Sequence, residues 1–151
     1  MSDNAEAPGT ASIRHERREV EVSLPGGRSY AVVIGSGVVA ELPGFLPEGT
    51  KRVAVVTQQG IGVEVDPGSP FDTYLIGDGE QHKRTATVEE LCSQWSESGL
   101  TRADCVVAVG GGVVTDVAGF AASVYHRGIP VIHVATTLLA QIDAAIGGKT
   151  G

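Results

Sequence analysis

The chain has 151 residues, 42% of them hydrophobic, and its 18 Asp plus Glu outnumber 11 Lys plus Arg to give a net charge of −7. That length suffices for one domain with its own core, and the negative field argues against a nucleic-acid or anionic-membrane surface as partner. The opening MSDNAEAPGTAS lacks the apolar core of a signal peptide and no apolar run approaches a membrane span; Cys92 and Cys105 fit no CxxC or disulfide framework, so both read as packing residues in a reducing, cytoplasmic compartment.

Residues 1–17 read as a disordered tail, and the folded domain is expected over 18–151. From Arg18 to Ile34, alternating VEVSL, the punctuation Pro25-Gly26-Gly27 and then SYAVVIG predict an antiparallel hairpin. Gly35-Ser36-Gly37-Val38-Val39-Ala40 matches a loose GxGxxA dinucleotide fingerprint. It reads as a structural turn, because the strand before it belongs to a hairpin and RVAVVT is followed by Gln58 and Gln59 rather than an acidic residue. RVAVVT itself suits a strand buried on both faces. QQGIGVEVDPGSPFD, rich in Gly and Pro, allows at best one helical turn before the strand TYLIG. Asp78-Gly79-Glu80 is a turn, and Thr87-Val88-Glu89-Glu90 has the capping-box spacing that opens a helix carrying Leu91 and Trp95, closed by Gly99.

The run CVVAVGGGVVTDVAGFAASVYHRG carries the most information, because a buried strand empties into Gly110, Gly111 and Gly112 and then directly into a helix. Without Cβ atoms these glycines can take positive φ and approach a ligand, and a helix opening at Val113 aims unpaired N–H groups at an anion such as a phosphate. Asp116 falls in that helix's first turn, where a carboxylate suits the dipole and could take a nucleotide hydroxyl or amide. Val117, Phe120, Ala121 and Val124 recur at helical spacing on a largely buried helix that Gly128 caps and Pro130 stops. VIHVA reads as another central strand, and Thr136 as the cap of a helix with Leu138, Leu139 and Ile142 that ends at Gly147-Gly148. Strands alternating with helices imply an α/β domain with a mainly parallel sheet. The finish at GGKTG, a glycine-rich turn carrying a lysine, suggests a truncated domain.

Several polar groups have two readings each. Asp78-Gly79-Glu80-Gln81-His82-Lys83 is either a solvated charged turn or a ligand loop after a strand. Lys149 is a surface lysine or, between Gly148 and Thr150, a phosphate or alkoxide holder. Arg127 caps its helix or binds an anion; Asp143 is an exposed helix residue or a site residue; Thr136 and Thr137 are a cap or ligand contacts. Their concentration near strand ends favours one shared site. His15, His82, His126 and His133 show no HxxxH or HExxH spacing, His133 reading as a satisfied core or interface residue, and no GxSxG supports a serine nucleophile.

Taken in order and at these separations, DGEQHK, GGGVVTDVAGFAASVYHRG and TTLLAQIDAAIGGKTG closely resemble the 3-dehydroquinate synthase family from about Arg18 onward. The resemblance implies a Rossmann-like NAD-binding half with an N-terminal hairpin, the family's C-terminal helical domain being absent. It also implies a divalent metal, zinc or cobalt, held in that absent half by a glutamate and two histidines. By motif match Asp78, Glu80 and Lys83 correspond to NAD contacts, Gly111, Gly112, Val113, Val114, Thr115 and Asp116 to the pyrophosphate loop and helix, and Thr136 and Thr137 to further nucleotide contacts. Asp143 and Lys149 match residues at the substrate and nicotinamide end, and Arg127 one that reaches the substrate phosphate from the neighbouring subunit of a homodimer. The implied reaction converts 3-deoxy-arabino-heptulosonate 7-phosphate to 3-dehydroquinate and phosphate. The rivals are a valiolone- or inosose-type sugar phosphate cyclase, an iron- or zinc-dependent polyol dehydrogenase, and a non-catalytic nucleotide-binding module. The chain departs from the family pattern at Ala135, where proline is usual, at Gln58 and Gln59 in place of an acidic or Asn-containing stretch near the adenosine ribose, and in a shorter connection from Thr57 to Phe71.

Overall fold

The computed structural model describes residues 16–148, and the chain divides into two compact units, Met1–Val38 and Val39–Gly151. The first holds the expected hairpin: β1 (Arg18–Leu24) pairs antiparallel with β2 (Arg28–Ile34), with Gly26 and Gly27 at φ 82° and 73° turning the chain between them. A 3-10 segment, Val38–Phe45, follows where the GxGxxA match lies, so that match opens no α-helix after a parallel strand.

The second unit is a four-stranded, all-parallel sheet in the order β4-β3-β5-β6, formed by β3 (Val53–Thr57), β4 (Phe71–Leu75), β5 (Cys105–Gly110) and β6 (Val131–Ala135). Two helices, α1 (Thr85–Glu97) and α2 (Gly112–Val124), make the crossovers from β4 to β5 and from β5 to β6. The link from β3 to β4 contains no helix. Both helices pack on the face of Ala54, Val56, Val106 and Ala108, where Trp95, Leu91, Val114, Val117, Ala118, Ala121 and Ala122 complete the larger core. The opposite face, Val53, Val55, Val107 and Val109, is covered by Leu42, Leu46 and the link residues Ile61 and Val65.

Connectivity therefore leaves β3 toward one edge and β5 toward the other. The carboxyl ends of these two adjacent strands form the switch point at which open α/β sheets bind ligands.

Local ends differ from expectation for physical reasons. α1 begins at Thr85 with Arg84 as its cap residue, because the Arg84 carbonyl already accepts from the N–H groups of Thr87 and Val88; Thr87, expected as the cap, is buried inside the first turn. α2 begins at Gly112 rather than Val113, which moves Asp116 out of the first turn into the second. Its buried stripe is mostly alanine and valine, while Phe120 and Val124, expected inside, are 39% and 48% exposed. It stops at Val124, and the turn Tyr125–Arg127 places His126 and Arg127 at φ 48° and 65° before Gly128. After β6 the cap is Thr137 rather than Thr136, its Oγ1 accepting from the Ala140 N–H at 3.2 Å. The helix it opens widens into a π turn over Ala140–Ala144, leaving Leu138, Leu139 and Ile142 exposed.

Candidate functional site at the switch point

The strand ends that meet at the switch point are tied together by side chains. Thr57 at the end of β3 donates its hydroxyl to the Val109 carbonyl of β5 at 2.9 Å, and buried Gln58 donates its amide to the Gly77 carbonyl beyond β4 at 2.8 Å. On the other side the Thr136 N–H donates to the Gly110 carbonyl at 2.9 Å. Four consecutive strand ends are thereby held in one row. Sequence reading noted Gln58 as a non-acidic residue after the strand and as a departure, not as a tie between strand ends; a polar residue directly after a buried strand is the signal that marks it.

The triple glycine sits in this row, but its glycines do not work as expected. None of Gly110, Gly111 and Gly112 takes positive φ; Gly111 lies at φ −82°, ψ −167°, in extended backbone. A Cβ on Gly110 would stand 2.4 Å from Cγ2 of Val114, and one on Gly111 would stand 3.0 Å from Cγ2 of Thr137. Gly110 is thus required by close packing of β5 on α2, and Gly111 lets the loop lie tightly on the Thr137 turn. Gly112 is different: a Cβ there meets only Ala144 at 3.7 Å, an ordinary contact. As Gly111 has no side chain to cap α2, the first-turn N–H groups of Gly112, Val113 and Val114 lack intrahelical acceptors, and the helix dipole makes this end attractive to an anion. Thr115, buried in the same helix, turns its hydroxyl back onto the Gly111 and Gly112 carbonyls at 3.2 and 3.1 Å.

Beside the loop, Lys83 and Asp116 form an ion pair of 2.7 Å, their side chains 32% and 13% exposed. The hydrogen bond to Asp116 holds the Lys83 ammonium above its ordinary pKa against the opposing effect of burial, with the charges of Asp116 and Glu80 adding to it. The pair lines a cavity of about 210 Å³ together with Arg84, Thr85, Val88, Val117 and Phe120. Asp78 and Glu80 lie on the exposed turn leading into Lys83, with the Asp78 carbonyl accepting from Gln81 at 2.7 Å.

His133 on β6 faces the same side as α2. The charge of Asp116 acts on it, and its Nδ1 is buried without a hydrogen-bond partner, which corrects its reading as a satisfied residue. Burial pushes this imidazole below its ordinary pKa, and the Asp116 charge only partly offsets that.

Of the other expected site residues, Thr137 stands against Gly111, and Asp143 lies on the π turn whose Ala144 lies closest to Gly112. Arg127 is not brought to this row. It is exposed beyond the far end of α2, about 20 Å of helix away from the glycine loop. Lys149 lies outside the described residues. Among the described residues no group of three or more His, Cys, Asp or Glu is placed to hold a metal ion, so they do not fit a metal site by themselves. No helix among them is long and apolar enough to cross a membrane.

The family model for the 3-dehydroquinate synthase N-terminal region matches residues 73–151, the stretch that builds this row from β4 onward. The chain belongs to the 3-dehydroquinate synthase family. It is 49% identical over 126 residues to a candidate aminodehydroquinate synthase of Amycolatopsis mediterranei, covering 82% of this chain and 35% of that protein. It is 41% identical over 131 residues to a 3-dehydroquinate synthase of Solibacter usitatus, covering 82% and 37%. Among solved structures, 2-deoxy-scyllo-inosose synthase complexed with carbaglucose-6-phosphate, NAD+ and Co2+ superposes with a TM-score of 0.72 at 27% identity, over 83% of this chain and 37% of that one. A 2-epi-5-epi-valiolone synthase from Streptomyces hygroscopicus with NAD+ and Zn2+ bound gives 0.60 at 33% identity, over 68% and 31%. These neighbours place the fold among the sugar phosphate cyclases, an enzyme class, and the chain spans about a third of the length of these relatives.

Proposed function

We propose that the chain is the NAD-binding part of a 3-dehydroquinate synthase, which converts 3-deoxy-arabino-heptulosonate 7-phosphate to 3-dehydroquinate with loss of phosphate on the route to chorismate. The observation that carries this reading is the uncapped start of α2 at the switch point, flanked by the Lys83–Asp116 pair. The N–H groups of Gly112, Val113 and Val114 receive the diphosphate of the dinucleotide, with Gly111 and Thr115 shaping the approach. Lys83, with Asp78 and Glu80 before it, takes the ribose hydroxyls, and Asp116 fixes Lys83 in place. Thr136 and Thr137 border the nucleotide from β6. Bound NAD+ supplies a reversible hydride acceptor; the residues of this chain bind, orient and desolvate. Asp143 and Lys149 serve the substrate end. Arg127, remote from its own chain's row, receives the substrate phosphate of a second copy, which makes a homodimer the working form. The resemblance puts the metal-holding glutamate and two histidines outside these 151 residues, so the chain alone binds the dinucleotide without turnover.

Gly112→Asp tests the site without threatening the fold, because its Cβ makes only an ordinary contact with Ala144 and a carboxylate at a helix start suits the dipole. Calorimetric titration is expected to show NAD+ binding to the native chain and a loss of about tenfold or more in the variant, from repulsion of the diphosphate, at unchanged melting temperature. Native affinity in G112D, or no binding to the native chain, overturns the reading.

The identity to the aminodehydroquinate synthase favours a second substrate, the amino counterpart of the heptulosonate phosphate. Phosphate release from one but not the other, measured on the enzyme containing this chain, assigns the reaction.

A further inference from the structure

An all-parallel sheet needs cover on both faces, because its strands carry apolar residues toward each. α1 and α2 supply that cover on one face. On the other, where a helix between β3 and β4 would lie, the chain has only the irregular link of residues 58–70 together with Leu42 and Leu46. This cover reaches β3 and stops there. Val53 and Val55 are 1% and 4% exposed, whereas Phe71 and Leu75 of β4 are 45% and 57% exposed. The parallel register sets Phe71, Thr73 and Leu75 beside Val53, Val55 and Thr57, so all three stand on the uncovered face, while Tyr74, on the helix side, is buried. Between the link and this strip lies a cavity of about 360 Å³, lined at the sheet by Val55 and Val109 and at its sides by Ile61, Val63, Val65 and Phe71.

Charge around the strip has one sign. Between Arg52 and Lys83 the sequence holds Glu64, Asp66, Asp72, Asp78 and Glu80 and neither Lys nor Arg. Arg52 itself is committed to Asp72 at 3.4 Å and to the Ser98 carbonyl. Glu64 lines the cavity and Asp66 follows it, accepting from the Gly68 N–H at 2.8 Å; no cation pairs with either among the described residues. An apolar strip bordered by unpaired carboxylates is complementary to an apolar stripe bordered by Lys or Arg. Its length suits a helix: Phe71 and Leu75 are about 13 Å apart along the strand, or about two and a half helical turns, so residues seven or eight apart on one helix reach both. We infer that this strip receives a short amphipathic helix of a partner protein, its apolar side on Phe71, Leu75 and the cavity, its Lys or Arg side chains toward Glu64 and Asp66. The docked helix stands where a covered parallel sheet carries a crossover helix. None of the residues placed against it is assigned to the dinucleotide, so the inference is independent of the cofactor reading.

The probe is a labelled peptide of about 14 leucine and lysine residues, long enough to hold a helix with its leucines along one side, and the control has glutamate in place of lysine. Fluorescence anisotropy is expected to show the lysine peptide binding the native chain below about 100 µM and the glutamate peptide about tenfold more weakly or worse. Phe71→Thr with Leu75→Thr removes the apolar anchors at positions already exposed, so the melting temperature is expected to hold while the lysine peptide loses about tenfold in affinity. Val124→Thr, a similarly exposed apolar residue at the far end of α2, is expected to bind as the native chain does. Glu64→Lys, also at an exposed position, gives a second reading: it is expected to weaken the lysine peptide and strengthen the glutamate peptide. Native affinity in F71T/L75T means attraction to the acidic surface at large and overturns the strip as the site. Equal binding of the two peptides overturns the basic partner. No binding to the native chain, as follows if the chain's own residues 1–15 cover the strip, overturns the inference outright. A dimer in sedimentation that F71T/L75T dissociates assigns the strip to a second copy and overturns it as well.

Discussion

At the amino-terminal ends of β3 and β5 one carboxylate ties two segments together. Asp104, 3% exposed, receives the N–H groups of Lys51 and Arg52 on Oδ1 at 3.2 and 3.0 Å, and the N–H and hydroxyl of Thr101 on Oδ2, each at 2.7 Å. Burial alone would raise its pKa, but these donors, Thr101 foremost, outweigh burial and keep it below the ordinary carboxylate value. Asp104→Ala strands several donors at once and is expected to cost about 3 kcal/mol in urea denaturation, with Asp104→Asn recovering part. Gly110 poses the opposite problem, of too little room. Gly110→Ala brings its Cβ to 2.4 Å from Cγ2 and 2.7 Å from Cβ of Val114, a contact that truncating Val114 to alanine would not relieve, and is expected to lose about 1–3 kcal/mol on the same unfolding curve. An unchanged curve would show that β5 and α2 part readily enough to admit the methyl group.

At the scale of elements, α1 is anchored by Trp95, which is fully buried and meets Tyr74 and Tyr125 edge-on at ring-centroid distances of 6.4 and 5.4 Å. Trp95→Ala empties the contact between α1 and the sheet and is expected to destabilise the second unit by about 3–5 kcal/mol in chemical denaturation. This element was legible in the sequence: Leu91 and Trp95 stand one turn apart, and both are buried as that spacing requires. The hairpin and the buried strands were legible for the same reason, local pattern with a period of two or a continuous β-branched run. Helix ends were not. Arg84 rather than Thr87 opens α1, and Thr137 rather than Thr136 caps the turn after β6, because tertiary packing decides which residue faces inward. The π turn at Ala140–Ala144 has no periodic signature of its own. Of the site, the glycine loop was visible as a strand running into a helix, yet the Lys83–Asp116 pair joins residues far apart in sequence and only the fold brings them together. The glycines themselves were seen, and their purpose was assigned to positive φ and close approach to a ligand, but none of them takes positive φ, and it is Val114 that crowds Gly110 and Thr137 that stands against Gly111.

Across the whole molecule the excess of acidic residues means that an anionic ligand must be received by local donors rather than by the overall field, and two buried groups tie the fold's survival to pH. The imidazole of His133 has its pKa lowered in the folded state, mainly by burial, so the unfolded chain binds the extra proton more readily between the folded and unfolded values. Its penalty on stability therefore begins as pH falls below about 6.5 and is complete below the folded value. Asp104, lowered as well, acts in a lower window: its stabilisation is full above about 3.9 and is lost as pH drops through its folded value. Two stages of acid loss are expected, and His133→Gln should remove the first alone, since its side chain carries no proton to gain. Thermal melting of native chain and variant at pH 8 and at pH 5 checks this. The native protein should lose more of its melting temperature over that interval than the variant, and parallel losses would show that the unpaired imbalance at Nδ1 is not what acid exploits.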